Sequence, residues 1–180
     1  TASTLTNAGM QPNVIATVDG VAVTTGMETA VGNYMVTTVE GLLTVSPKAV
    51  TLTAKDSTKT YNSIGLTQPA FTATALESGD NHTFAVAMTA GSTLTTVGTQ
   101  PNVIGTVDGI AVPTGMETVV GNYLVTTVNG TLIVNPKTVM LTAKDSTKTY
   151  DGSALTQPFF TATDLETGDN HTFMVAMTAG

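Results

Sequence analysis

Ten residues, LTAKDSTKTY, stand at positions 52–61 and return unchanged at 141–150, 89 positions later. The same offset carries Asn13-Val14-Ile15 onto Asn102-Val103-Ile104, and Gly26-Met27-Glu28 onto Gly115-Met116-Glu117. It also carries Gly79-Asp80-Asn81-His82 onto Gly168-Asp169-Asn170-His171, with no gap anywhere. A chain that repeats itself at a fixed period is built from copies of one supersecondary unit, each burying its apolar surface largely against its neighbours.

The unit reads as β-structure. Charged residues make up only 11% of the 180, and threonine fills much of the space that charge takes in an average domain. β-Branched residues suit a pleated surface. Val14–Val18 and Val21–Val23 flank Asp19-Gly20, a two-residue hairpin signal. Tyr34–Val39 and Leu42–Val45 flank Glu40-Gly41, and in the second copy Asn129-Gly130 takes that place, predicting another hairpin there. Gly26–Gly32 and Asp56–Lys59 read as polar loop and turn. Val50, Leu52 and Ala54 alternate with Thr51, Thr53 and Lys55, as do Phe84, Val86 and Met88 with their neighbours, which places one face of each run inward. No apolar series follows helical spacing over three turns. The fold class is therefore all-β, as tandem small β-sandwich (Ig-like) modules in an elongated array, with β-grasp-like modules as the alternative.

Ser46-Pro47 and Asn135-Pro136 punctuate the two copies, and proline belongs at a strand's start or between modules. Taken as boundaries, they make 46–134 a complete repeat, 1–45 the C-terminal half of one and 135–180 the N-terminal half of the next. Modules 1–89 and 90–180 are the alternative. Under the first division each half has unpaired edges, to be completed by neighbouring repeats of the same chain or by identical chains joined head to tail. No signal peptide opens the chain at Thr1, an absence that carries no weight because the chain reads as beginning inside a repeat.

The opening Pro136-Lys137-Thr138-Val139, the stretch Lys148-Thr149-Tyr150-Asp151-Gly152 with Leu155-Thr156, and Asn122–Val134 together resemble the tandem β-rich repeats of bacterial surface adhesins and stalks, the MBG-type and streptococcal high-identity repeats. The first copy departs from this pattern at Asn62-Ser63 and at Glu40-Gly41-Leu42, both turns. The resemblance implies an extracellular, cell-surface protein whose repeats act as spacers in a stalk, adhesin or filament. It transfers no catalytic residue.

The residues themselves agree with a non-enzymatic reading. Ser and Thr are abundant, but no Gly-x-Ser-x-Gly elbow occurs, and the glutamates Glu28, Glu40, Glu77, Glu117 and Glu166 fall in expected loops and turns. A net charge of −7 with six basic residues argues against nucleic acid, and no apolar run is long enough for a membrane helix. His82 and His171 read as solvated turn residues rather than metal ligands. Asp19, Asp56 and Asp80, with Asp108, Asp145 and Asp169, read as turn formers that leave room for weak inter-module calcium and for no other cofactor. Lysine cross-links to Asn are the less favoured reading of Lys48, Lys55 and Lys59, which are expected to be solvated. With no Trp in the chain, a glycan or host-protein contact would fall to Tyr61 and Tyr150, which close the repeated decapeptide, while Tyr34 and Tyr123 read as packing residues. Asn81, Asn129 and Asn170 head N-glycosylation sequons.

Overall fold

The computed structural model describes residues 3–163 and 165–178. Among these the protein is all strand, with no helix. The first forty-odd residues carry β1 (Gly9–Asn13), β2 (Thr17–Val18), β3 (Val21–Ala22), β4 (Glu28–Val31), β5 (Tyr34–Thr37) and β6 (Gly41–Val45). Next come β7 (Lys48–Ala54), β8 (Ser57–Thr60), β9 (Phe71–Ala73) and β10 (Val86–Met88). The second copy repeats the opening set as β11 (Gly98–Asn102), β12 (Ile104–Val107), β13 (Ile110–Ala111), β14 (Thr118–Val120), β15 (Tyr123–Val128) and β16 (Gly130–Asn135), and closes with β17 (Leu141–Ala143) and β18 (Phe160–Ala162).

Four antiparallel pairings occur twice, in the same register 89 residues apart. Thr17↔Ala22 of β2·β3 returns as Thr106↔Ala111 of β12·β13, and Asn13↔Gly41 of β1·β6 as Asn102↔Gly130 of β11·β16. Thr29↔Val36 of β4·β5 returns as Thr118↔Val125 of β14·β15, and Leu52↔Ala73 of β7·β9 as Leu141↔Ala162 of β17·β18. Equal sequences therefore make equal local structure. Three further pairings occur once. β7 lies parallel to β15 from Lys48↔Tyr123 to Thr53↔Val128, β8 lies parallel to β16, and β10 pairs antiparallel with β12. The first of these joins β14-β15 to β7-β9 as a four-stranded sheet, whereas β4-β5 and β17-β18 remain two-stranded.

The described residues within 1–54, 69–89 and 103–129 form one compact unit, and those within 55–68, 90–102 and 130–180 a second. In the first, the alternation of β7 buries Val50, Leu52 and Ala54 against Ile104, Val107, Val112, Val120, Tyr123 and Val125, with Phe84, Val86 and Met88 packed at the margin. The core of the second is smaller: Leu66, Leu94, Leu132 and Val134, with Tyr61 against them.

The Asp19-Gly20 turn is as expected: φ is +49° and +81°, the paired positive angles of a type I′ hairpin, and Asp108-Gly109 repeats it at +51° and +79°. The hairpins expected at Glu40-Gly41 and Asn129-Gly130 do not form. Gly41 and Gly130 are absent from the positive-φ glycines, so the backbone runs on instead of folding back, and β5 and β6, like β15 and β16, take different partners. The region read as a polar loop, Gly26–Gly32, contains β4. Its hairpin turns at Gly32-Asn33, with Gly32 at φ +58°, the glycine-first geometry that also suits a two-residue loop. Asp56–Lys59, read as a turn, is largely β8, because Thr and Ser at alternate positions serve a strand as well as a turn. Pro12 and Pro101 lie in β1 and β11, both at sheet edges where a missing N–H costs no ladder bond.

Candidate functional site

The densest polar arrangement in the first unit is built on two turns and one strand. Glu77–Asp80 closes with Asp80 N–H donating to Glu77 O at 3.0 Å, and Gly79 at φ +87° makes that turn possible. The Asp80 carboxylate then accepts the His82 amide at 2.9 Å and the Tyr123 hydroxyl from the start of β15. From the β12–β13 turn, Asp108 accepts the Ala85 amide at 2.8 Å, and its other oxygen lies 2.9 Å from His82 Nε2. Phe84 meets the rings of His82 and Tyr123 edge on, with centroids 4.7 Å and 5.5 Å away, and the His82 and Tyr123 rings lie tilted to each other at 5.8 Å.

The hydrogen bond from Tyr123, with that from the His82 amide, holds the Asp80 carboxyl below its ordinary value. Reciprocally, the bond to Asp80 and the loss of water raise the Tyr123 hydroxyl. His82 is exposed, as expected of a turn residue, and it is also a member of a cluster with Asp108 and Tyr123, which reading its own turn did not disclose. Tyr123 is buried, as its place at the head of a core strand suggests. An open hollow of about 440 Å³ lies beside the cluster, lined by Asn7, Ala8, Asp80, His82, Gly121, Asn122 and Tyr123.

Chemically this is a latch. Each carboxylate accepts at least one donor from a distant stretch of chain, Asp80 from the Tyr123 hydroxyl and Asp108 from the Ala85 amide. Among the described residues no three His, Asp or Glu side chains gather as a metal-binding group. Asp56 likewise receives a backbone donor, Thr131 N–H at 2.7 Å. At the second copy, His171 repeats the turn: its amide donates to Asp169 at 3.0 Å and its ring meets Phe173 at 4.7 Å.

The other singled-out residues are scattered. Asn81, Asn129 and Asn170 are exposed, Asn129 accepting a hydrogen bond from the Thr114 hydroxyl at 3.0 Å. Tyr61 is half-buried against the smaller core, whereas Tyr150 stands 93% exposed. Of the lysines, Lys48 meets Glu77 at 2.7 Å, Lys137 meets Glu166 at 2.5 Å and Lys148 meets Asp151 at 2.7 Å. Lys55 is exposed, while Lys59 in β8 is half-buried and donates to Asn62 Oδ1 at 2.7 Å and to Ile64 O. The last contact replaces the solvated turn expected there.

One residue escaped sequence reasoning altogether. Asn102 is fully buried in the second unit, and its side-chain amide donates to Lys55 O at 2.9 Å and Gln68 O at 2.8 Å. An Asn beside Pro101 reads as a turn, and only its recurrence as Asn13 hinted at a structural duty. Among the described residues no helix is long and apolar enough to cross a membrane. Compared with known proteins, the chain matches no family model, no curated protein and no solved structure.

Proposed function

We propose that this chain is a structural tandem-repeat segment of an extracellular stalk, adhesin or filament, in which small β-sandwich modules act as spacers at the cell surface. The observation that carries the reading is the set of pairings made once. β7·β15 and β10·β12 in the first unit, and β8·β16 in the second, each join a strand from 46–89 to one from 90–134, as expected of a repeat bounded by Pro47 and Pro136. The main core draws on both stretches, β7 and β10 from one and β12, β14 and β15 from the other. The Asp80–Tyr123 and His82–Asp108 contacts fasten the same two stretches. A polar cluster whose every carboxylate is engaged within the protein is suited to holding strands, and low charge with abundant Thr suits a neutral surface.

Two measurements test this. Residues 46–134 expressed alone are expected to unfold in one cooperative transition, and 1–89 alone to show none; the reverse result overturns the module boundary. Chains carrying two, three and four periods are expected to lengthen by a constant increment per 89 residues in small-angle scattering; a length that does not grow with repeat number overturns the spacer. A second reading, a glycan- or host-protein-binding adhesin module, draws on Tyr150, whose exposed ring is a face a sugar can stack on. Saturable binding in a glycan array that is lost in Tyr150→Ala would select it.

A further inference from the structure

The two-stranded sheets β4-β5 and β17-β18 are the sequence counterparts, 89 residues removed, of the two halves of the four-stranded sheet β14-β15-β7-β9. In the four-stranded sheet β15 and β7 seal each other's edge. In the two-stranded sheets the matching edges, on β5 and on β17, carry no strand among the described residues. The side chains tell the same story. Leu52 is 0% exposed and the identical Leu141 41%; Tyr123 is 3% exposed and Tyr34 76%; Ile104 is 1% exposed and Ile15 47%. Leu52 and Leu141 share type and pair in the same register with β9 and β18, as Tyr123 and Tyr34 do with β14 and β4, so the difference follows the missing partner.

We propose that the open edge of β5 and the segment 137–143 that ends in β17 form a joint between copies of this chain, with residues 135–178 of one copy docked on residues 3–45 of another and residues 137–140 lying parallel to β5. The inference rests on the module reading above, and commits to a second copy because the fitting surface is already in the molecule. β7, whose last three residues begin the repeated decapeptide, lies on β15, the counterpart of β5. Shifted by one period, its register sets Tyr34 opposite Lys137, Val36 opposite Val139 and Thr38 opposite Leu141. Docking then removes Leu141 and Tyr34 from water and supplies both open edges with ladder partners. Because each copy offers one edge of each kind, the joint is heterologous, and it propagates into head-to-tail chains wherever the rotation from copy to copy does not close.

The chain contains no cysteine, so single thiols report the joint cleanly. Full-length Val36→Cys and Val139→Cys variants are mixed under mild oxidation, and a heterodimeric disulfide is expected. Val36→Cys mixed with Ala143→Cys, four residues or roughly 13 Å out of register, is expected to give at least tenfold less. Because Val36 and Val139 are half-buried, the experiment is repeated with Thr37→Cys and Met140→Cys, the adjacent exposed pair. The double variant Val36→Cys/Val139→Cys is expected to give a ladder of multimers. Equal cross-linking in and out of register, a double variant that closes on itself as a monomer, or a wild-type chain that sediments as a monomer up to millimolar concentration would each overturn the proposal. Hydrogen exchange at β15, an intrachain matter, separates the two readings. Slow exchange there in a monomeric chain removes the joint alone, and fast exchange removes the module as well.

Discussion

Leu52 and Leu141 open identical decapeptides, which makes them a controlled comparison of environment. At 0% exposure, between β9 and β15, Leu52→Ala deletes three buried carbons and leaves a cavity that neighbouring strands cannot fill. Such changes cost about 2–5 kcal/mol. Leu141 is 41% exposed on a two-stranded sheet, so Leu141→Ala forfeits part of a transfer term and little cavity energy, about 1 kcal/mol. The assay is hydrogen exchange read by mass spectrometry on the full chain at about 1 µM, dilute enough to disfavour association. In Leu52→Ala, protection of the β15 amides is expected to fall by a factor between tens and thousands, following roughly tenfold per 1.4 kcal/mol. In Leu141→Ala the β15 amides are expected to exchange as in the parent. Equal loss at β15 in both variants would refute the reasoning, because it would mean that β7 has no privileged claim on β15.

Asn102→Ala removes the side-chain donor to the carbonyls of Lys55 and Gln68 and is expected to cost roughly 1–3 kcal/mol in the second unit, with Asn102→Asp worse because a carboxylate then faces both oxygens; urea unfolding curves of the two variants check the order. Asp80, depressed chiefly by Tyr123, favours the folded state above the ordinary carboxylate range, and that contribution disappears as pH falls through its lowered folded value. Tyr123→Phe is therefore expected to flatten the acid limb of a stability–pH curve, and an unchanged limb would count against the Asp80 bond. Lys148, with the amide and hydroxyl of Ser153, holds Asp151 down to about 2, so Lys148→Gln is expected to move that carboxyl upward in an NMR titration without altering the fold. A twelve-residue Gly/Ser insertion between Ser46 and Pro47 gives β7 a connection long enough to reach β5, and is expected to speed exchange at β15 as the two partners compete.

What the sequence disclosed was local. Val50, Leu52 and Ala54 declared their inward face by alternation, and Asp19-Gly20 declared its hairpin because Asp and Gly both tolerate the positive φ that the turn demands. Asn129-Gly130 looked like a stronger signal of the same kind, and it misled. Residue type permits such a turn without compelling it, and β16 gains more by pairing with β11 and β8. Gly32-Asn33 was legible in principle, as a glycine-first two-residue loop between Val31 and Tyr34, but the polar residues before it masked β4. The parallel pairing of β7 with β15 was out of reach, since Lys48 and Tyr123 lie 75 residues apart and no local pattern names a distant partner. For that reason the His82–Asp108 and Asp80–Tyr123 contacts were hidden too: each is brought together only by pairings across the repeat.

Identity between repeats ordinarily invites mispairing, because β5 and β15 offer β7 closely similar edges. Connectivity removes the ambiguity. Parallel neighbours need a crossover of a dozen or more residues. Only residues 38–47 separate β5 from β7, and within them β6 is already held by β1. From the end of β7 at Ala54 to the start of β15 at Tyr123 the chain has ample length, and loop closure grows dearer only with the logarithm of that length, whereas a connection that is too short is forbidden outright. β7 is therefore driven forward along the chain, never back to the strand it has just left. The same rule bars residues 137–143 from β15, since in the register of β7 only residues 129–136 would intervene and β16 occupies most of them. In the proposed array every joint consequently points the same way, and the fidelity of assembly comes from the shortness of the Ser46-Pro47 connection and of its counterpart at Pro136 rather than from any difference between the copies.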